Sequence, residues 1–346
     1  MKINELKIGS ITARVPLIQG GMGVGVSLSG LAGAVAAAGG IGVISTAQIG
    51  YRDPDFDRHP IECNLKAIDD EIKKARVIAR GGAIGVNIMV ATKRYEDYVK
   101  AAAKSGADII ISGAGLPMTL PEISGDAKIA PIVSSKKALS VISKYWDKKY
   151  NRKPDLVIIE GPMAGGHLGF STEEIDEYTV TKTKNYDDEI RQIIALADEL
   201  EVPVAVAGGV YDRDDMEHYL EMGAKAVQVA TRFVTTRECD ASDAYKQAYI
   251  DAKKEDIVIV KSPVGMPGRA IHNAFLDKVA AGERFMRGCR QCVSTCNPET
   301  TPYCITEALV NAVKGNLDEG LIFCGSNACR AEKIESVSEI MEEFSK

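Results

Sequence analysis

Eight short runs of β-branched and small apolar residues recur before residue 234, each followed by a small or polar turn and then by an amphipathic segment. They span residues 17–22, 41–47, 83–90, 107–114, 129–135, 156–161, 203–209 and 226–233. Runs such as Val157-Ile158-Ile159 are apolar without alternation, as expected of strands covered on both faces. Between the runs lie helical patterns. Ile190, Ile193, Ile194, Ala197 and Leu200, for example, share one face at the 3.6-residue period. The first helix is expected over residues 28–38, with Ser27 as N-cap and Gly39 or Gly40 as the stop.

Eight strands alternating with helices predict the α/β class and a TIM (β/α)8 barrel. The rival is a doubly wound open sheet. Against it, the glycine-rich stretch from Gly20 to Gly25 has no G-x-G-x-x-G spacing and no acidic residue at the end of the next strand. The 346 residues, 45% hydrophobic, suffice for one large barrel or two ordinary domains.

The net charge of -6 is spread without long blocks, which gives no footprint for DNA, RNA or anionic lipid. A small-molecule substrate is the expected partner, with a homodimer as the candidate assembly. The N-terminus shows no basic segment followed by an apolar run, and the stretch from Leu31 to Ser45 is glycine-broken and shorter than the roughly 20 residues that a bilayer crossing needs. A cytoplasmic chain without membrane spans is expected.

The active site of such a barrel lies at the C-terminal ends of its strands, and the loops after strands seven and eight commonly hold a phosphate. Here those ends read Ala207-Gly208-Gly209 and Gln228-Val229-Ala230-Thr231-Arg232. Glycine lets backbone N–H groups approach a phosphate, and Thr231 adds a hydroxyl donor. A plain tight turn at Gly208 and Gly209 is the alternative. The sixth strand runs into Glu160-Gly161-Pro162-Met163-Ala164-Gly165-Gly166-His167. That places His167 for proton transfer, with Gly165 and Gly166 free to fold around a flat ring. Taken alone, the histidine fits a satisfied loop residue equally well. Of the other histidines, His218 is expected at the surface, His59 follows an acidic loop, and His272 has the mouth within its reach. Lys136 and Lys137 are expected to be solvated, Tyr145 and Trp146 to lie in the core, and the acidic run from Glu173 to Glu177 to face solvent.

These ordered motifs resemble the superfamily of nitronate monooxygenase (2-nitropropane dioxygenase) and enoyl-acyl-carrier-protein reductase II, over about residues 15 to 260. The resemblance implies FMN as cofactor. It implies that Gly21 and Met22 meet the isoalloxazine ring, that Asn87 of Gly85-Val86-Asn87 bonds the flavin, and that Gly113-Ala114-Gly115 also matches. By the same resemblance His167 is the catalytic histidine, and Gly209 with Gln228, Val229, Ala230 and Thr231 grips the phosphate. Glu160 stands where many nitronate monooxygenases carry glutamine, Met163 replaces a usual glutamate and Ala230 a usual glycine; Glu160 looks more like the reductase branch. Two chemistries fit. One is NAD(P)H-linked reduction of an activated C=C or quinone-like acceptor with His167 as proton donor; the other is oxidation of alkyl nitronates with O2. A non-catalytic flavin or redox-relay protein is the reading from another class.

Six of the eight cysteines follow residue 288, in a chain expected in a reducing compartment that disfavours disulfides. Cys289-x2-Cys292-x3-Cys296-x7-Cys304 has the compactness of an iron–sulfur or zinc ligand set. Its x2, x3 interval resembles that of old yellow enzyme-like dienoyl-CoA reductases, which hold a four-iron cluster. A [4Fe-4S] cluster, zinc, and reduced structural or redox-active thiols are all open. Cys324 and Cys329, flanking Gly325-Ser326-Asn327, complete a site or simply pack. Residues 1–262 are expected to form the FMN-binding barrel, and 263–346 a cysteine-rich lid with a final helix near residues 334–344.

Overall fold

The computed structural model describes residues 3–346. A hairpin of β1 (Leu6–Ile8) and β2 (Ile11–Ala13) precedes the repeating units. These are β3 (Leu17–Gln19), α1 (Ser29–Ala37), β4 (Ile41–Ser45), α2 (Pro60–Ala79), β5 (Ala83–Met89), α3 (Tyr95–Lys104), β6 (Ile109–Gly113), α4 (Leu120–Ile123), β7 (Lys128–Val133), α5 (Lys136–Tyr150) and β8 (Val157–Glu160). Next come β9 (Gly166–His167), α6 (Thr172–Thr179), α7 (Tyr186–Glu199), β10 (Val204–Ala207), α8 (Arg213–Glu221), β11 (Ala226–Val229), α9 (Thr231–Val234) and α10 (Asp243–Asp251). The remainder holds β12 (Ile257–Lys261), β13 (Pro267–Ile271), α11 (Ala274–Ala280), α12 (Ile305–Lys314), β14 (Ile322–Phe323) and α13 (Val337–Ser345).

Strands β3, β4, β5, β6, β7, β8, β10 and β11 pair in parallel and close into a barrel ringed by helices, a TIM barrel. Each expected strand is present. Both faces of a strand are apolar because each packs a different core. Ile158, Ala205 and Ala207 join the cluster inside the barrel, whereas Val157, Ile159, Val204 and Val206 join the layer beneath the helices. Leu6, Ile8 and Ile11 of the hairpin belong to the interior cluster, so β1 and β2 plug the N-terminal end and leave the C-terminal end for chemistry.

The strands end sooner than their apolar runs. The eighth run continues to Phe233, yet β11 stops at Val229 and the next residues form the one-turn helix α9. The first helix also differs: Leu28, not Ser27, is its N-cap, and no side chain of its own caps it. The Ser27 hydroxyl is diverted to accept the Met22 N–H at 2.8 Å. Asp240, distant in sequence, accepts from the N–H groups of Leu28, Gly30 and Leu31 at 2.8–3.1 Å, and Glu71 accepts from Ser29 at 3.0 Å. Orphan N–H groups at a helix start take any well-placed carboxylate, near or far in sequence.

After the barrel, β12 and β13 form an antiparallel hairpin that carries the chain across residue 262; β13 also pairs with β14 and with β9. Helix α13 returns to pack Ile340 and Phe344 in one cluster with Leu31 and Val35 of α1. Trp146 is fully buried with its indole N–H on the Pro117 carbonyl, and Lys136 and Lys137 are exposed. Among the described residues no helix is long and apolar enough to cross a membrane.

Candidate functional site

The C-terminal strand ends enclose a cleft with two lobes, about 220 Å³ and about 320 Å³ in volume. Gly21, Met89, Glu160, His167 and Gln228 line both lobes, so the two meet there. Met22, Gly165, Gly166, Gly208, Gly209, Ala230 and Thr231 line the first lobe, and Asn87 with Gly113, Ala114 and Gly115 lines the second. Val229 is placed otherwise. Its side chain is buried against Val15, Leu17 and Phe233 in the outer layer, and only its carbonyl serves the cleft, by accepting from the Gly20 N–H at 2.9 Å. The period-2 alternation of a strand requires this, since Gln228 and Ala230 face the other side. His272 does not line the cleft; it is half-exposed and bonded to Asp277 at 3.0 Å. His218 lies at the surface beside Asp187 at 3.3 Å.

Two glycines are needed where they stand. Gly208 has φ +96, and a Cβ there would come within 2.9 Å of the Ala164 nitrogen and the Gly161 oxygen. At Gly21 a Cβ would meet that of Asn87 at 2.5 Å, so backbone and Asn87 form one continuous wall.

One corner of the first lobe brings Thr231, expected there, together with Ser326 and Asn327. Ser326 Oγ is buried, lines the lobe and has no hydrogen-bond partner. Thr231 Oγ1 accepts from the Gly325 N–H at 3.1 Å, which leaves its own hydrogen free, and Asn327 Nδ2 donates to the Gly209 carbonyl at 2.6 Å. A buried hydroxyl without a partner is disfavoured unless a ligand satisfies it. An oxygen-rich anion such as a flavin phosphate fits this corner of Gly208, Gly209, Thr231, Gly325 and Ser326. The signal in the sequence is Gly325-Ser326-Asn327, a turn composition at the end of a short strand. Cys324 does line the lobe.

His167 is held from several sides. Strand β9 pairs Gly166 and His167 with Arg269 and Gly268 of β13, and the ring stacks edge-on against Phe323 with centroids 4.9 Å apart. Ser262 Oγ lies 2.7 Å from its Nε2. Behind the loop, the buried Arg269 guanidinium donates to the Ala164 and Pro162 carbonyls. The imidazole is thereby oriented by groups drawn from the β12–β13 connection and β13.

Glu160 and His167 face the same cleft and are both drawn toward neutrality by burial, which disfavours the charged form of each. Glu160 is raised from 4.5 to about 7, and His167 is lowered from 6.5 to about 4. Their effects on stability oppose each other. Between pH 4 and 6.5 the unfolded chain protonates His167 and the folded chain does not, so this residue makes stability rise with pH. Between pH 4.5 and 7 the folded chain keeps a proton on Glu160 that the unfolded chain has lost, so this residue makes stability fall with pH. Each slope is at most about 1.4 kcal/mol per pH unit, less where water enters the cleft. Glu160→Gln removes the falling slope. Denaturant unfolding at pH 4.5, 5.5 and 6.5 is expected to show the variant gaining stability with pH relative to the parent; parallel profiles would contradict the opposed shifts.

The comparisons agree with this geometry. A sequence model of the family described as Nitronate monooxygenase matches residues 4–346. A Staphylococcus saprophyticus protein described as "Probable nitronate monooxygenase" is 26% identical over 301 residues, 81% of each chain. A Staphylococcus aureus protein of the same description is 23% identical over 308 residues, 79% of each. Among solved structures, FabK of Thermotoga maritima superposes with a TM-score of 0.72 at 26% identity, over 95% of this chain and 91% of that one. Nitroalkane oxidase of Streptomyces ansochromogenes also gives 0.72, at 18% identity, over 96% of this chain and 94% of its own; it bears on the fold alone.

Proposed function

We propose, from the premise that this chain belongs to the nitronate monooxygenase family of oxidoreductases, that it binds FMN and uses NAD(P)H to reduce an uncharged, electron-poor double bond or a quinone-like acceptor. One observation carries the choice of substrate charge. The cleft is lined, among the described residues, by no lysine or arginine, and its central ionisable pair, Glu160 and His167, is held toward neutrality. At the join of the lobes, an anionic acceptor would be stripped of water with no cation in return, whereas a neutral one would not; the cofactor phosphate is met instead by the hydroxyls and glycine backbone of its own corner.

In this reading Thr231, Ser326 and the glycines at 208, 209 and 325 hold the phosphate, and the backbone at Gly21, Met22, Gly165 and Gly166 meets the ring, with Asn87 and Gln228 at its polar edge. Bound FMN would supply the hydride-transfer centre. His167, neutral and fixed by Ser262, presents an N–H toward negative charge developing on the acceptor, as a neutral imidazole can. Glu160, close to half-protonated at neutral pH, is a second proton store.

Oxidation of alkyl nitronates with O2 is the second reading, favoured by the family match itself. Anaerobic mixing separates the two. Prompt bleaching of the flavin bands by NADH or NADPH supports the reductase. Indifference to both nucleotides, with bleaching by propionate 3-nitronate and oxygen uptake in air, would overturn it in favour of nitronate oxidation.

A further inference from the structure

The cysteine run finds a common address in the fold. Cys289, Cys292, Cys296 and Cys304 line a separate cavity of about 220 Å³ whose charged residues are Lys93 and Arg290, with no carboxylate. The run is docked onto the barrel mouth. Thr92 and Val293 form an antiparallel bridge, the Lys93 N–H donates to the Cys292 carbonyl at 3.1 Å, the Ser294 N–H donates to the Ala91 carbonyl at 3.0 Å, and Gln48 donates to the Arg290 carbonyl at 3.4 Å.

The surroundings suit sulfur that carries negative charge. The Gln291 N–H donates to Cys289 Sγ at 3.4 Å. Cys304 is the N-cap of α12, so its sulfur sits at the N-terminal end of that helix without a capping hydrogen bond of its own. The Thr306 hydroxyl, 2% exposed, lies beside Cys292 but is not aligned for a hydrogen bond with any protein group. N–H donors, the Lys93 ammonium and a spare hydroxyl suit four thiolates on a metal cluster, while Arg290 is paired with Asp57 at 2.9 Å.

The four sulfurs line one cavity of about 220 Å³, which has room for a body larger than a single ion. Among the described residues no three cysteine, histidine or carboxylate groups are already gathered as a metal-binding group, so the four sulfurs would draw together only on a bound metal. A zinc ion draws four sulfurs to about 2.3 Å from one point; a cubane holds them apart around a larger body. All eight cysteines are free of disulfides. We propose that Cys289, Cys292, Cys296 and Cys304 ligate a [4Fe-4S] cluster at the barrel mouth. A narrow gap of about 40 Å³ joins it to the cleft: Cys292, Val293 and Ile305 border the cysteine cavity, while Met89, His167 and Leu309 border the cleft. The site therefore adjoins the flavin cleft, and its existence does not depend on which acceptor the enzyme uses.

The test is purification of the full chain without oxygen from cells supplied with iron, followed by iron, acid-labile sulfide and zinc analysis and by electron paramagnetic resonance after dithionite. About four iron and four sulfide per chain are expected, with a reduced-cluster signal. Cys289 is exposed, so Cys289→Ser leaves the packing intact; it should lower iron several-fold while the flavin content holds. Cys329→Ser, outside the cavity, should change neither. Stoichiometric zinc would overturn the proposal, as would a chain that takes up no iron on anaerobic reconstitution while its four thiols react freely.

Discussion

His167→Ala is expected to lower turnover by about two to three orders of magnitude, the ordinary worth of a positioned proton-transfer group, while the purified protein keeps its flavin. The separation follows from geometry. The proposed phosphate corner at Gly209, Thr231 and Ser326 involves no atom of the imidazole, and Asn327 holds Gly209 from the other side. Truncating the ring removes the one nitrogen-bearing side chain that β9 and Phe323 aim into the join between the lobes. Ser262→Ala, which frees the ring from its 2.7 Å partner, should produce a smaller loss of the same kind, because packing against Phe323 still restrains it. Steady-state rates alongside flavin content per chain check both. Loss of flavin in step with activity would make His167 a structural residue of the cleft, and unchanged turnover would remove it from the mechanism.

Arg232→Ala should destabilise the protein by about 3–5 kcal/mol, the usual effect of removing one partner from a buried ion pair. Although Arg232 follows Thr231 directly, it turns away from the cleft. Its guanidinium bonds Glu335 through Nε and Nη2, both at 3.0 Å, reaches Glu343 at 2.9 Å, donates to the Tyr211 carbonyl at 3.3 Å and lies over the Tyr211 ring. The group is 9% exposed, and removing it strands Glu335, itself only 15% exposed, without a cation. The residue thereby ties α9, at the wall of the cleft, to Glu335 ahead of α13 and to Glu343 within it. Urea unfolding measures the loss. Arg232→Met keeps the apolar stem and should lose less; a variant within about 0.5 kcal/mol of the parent, the range of ordinary surface changes, would contradict the role.

The barrel was legible because unalternating runs such as Val157-Ile158-Ile159 have one physical explanation when they recur eight times with helices between them: both faces are covered. Strand ends were less legible. The apolar run through Phe233 belongs to two elements, since Phe233 is fully buried from a helical turn and no periodicity distinguishes that from a strand. Ser27 had the composition of a cap, but Asp240 supplies the cap from far along the chain. In the cleft, the glycines and His167 stood out because their types are unusual at a strand end. Ser262, Arg269 and Ser326 did not, because they come from the β12–β13 connection, β13 and the loop after β14, whose return to the barrel only the fold reveals. The opposed neutrality of Glu160 and His167 was likewise invisible, since it arises from burial and from no sequence neighbour.

The most direct measurement is the visible spectrum of the freshly purified protein, with chromatographic identification of whatever heat releases from it. A flavin spectrum, and FMN released at about one per chain, is the expected result. A colourless protein that fails to acquire flavin bands on incubation with FMN would contradict the assignment of the cleft and of every role drawn from it.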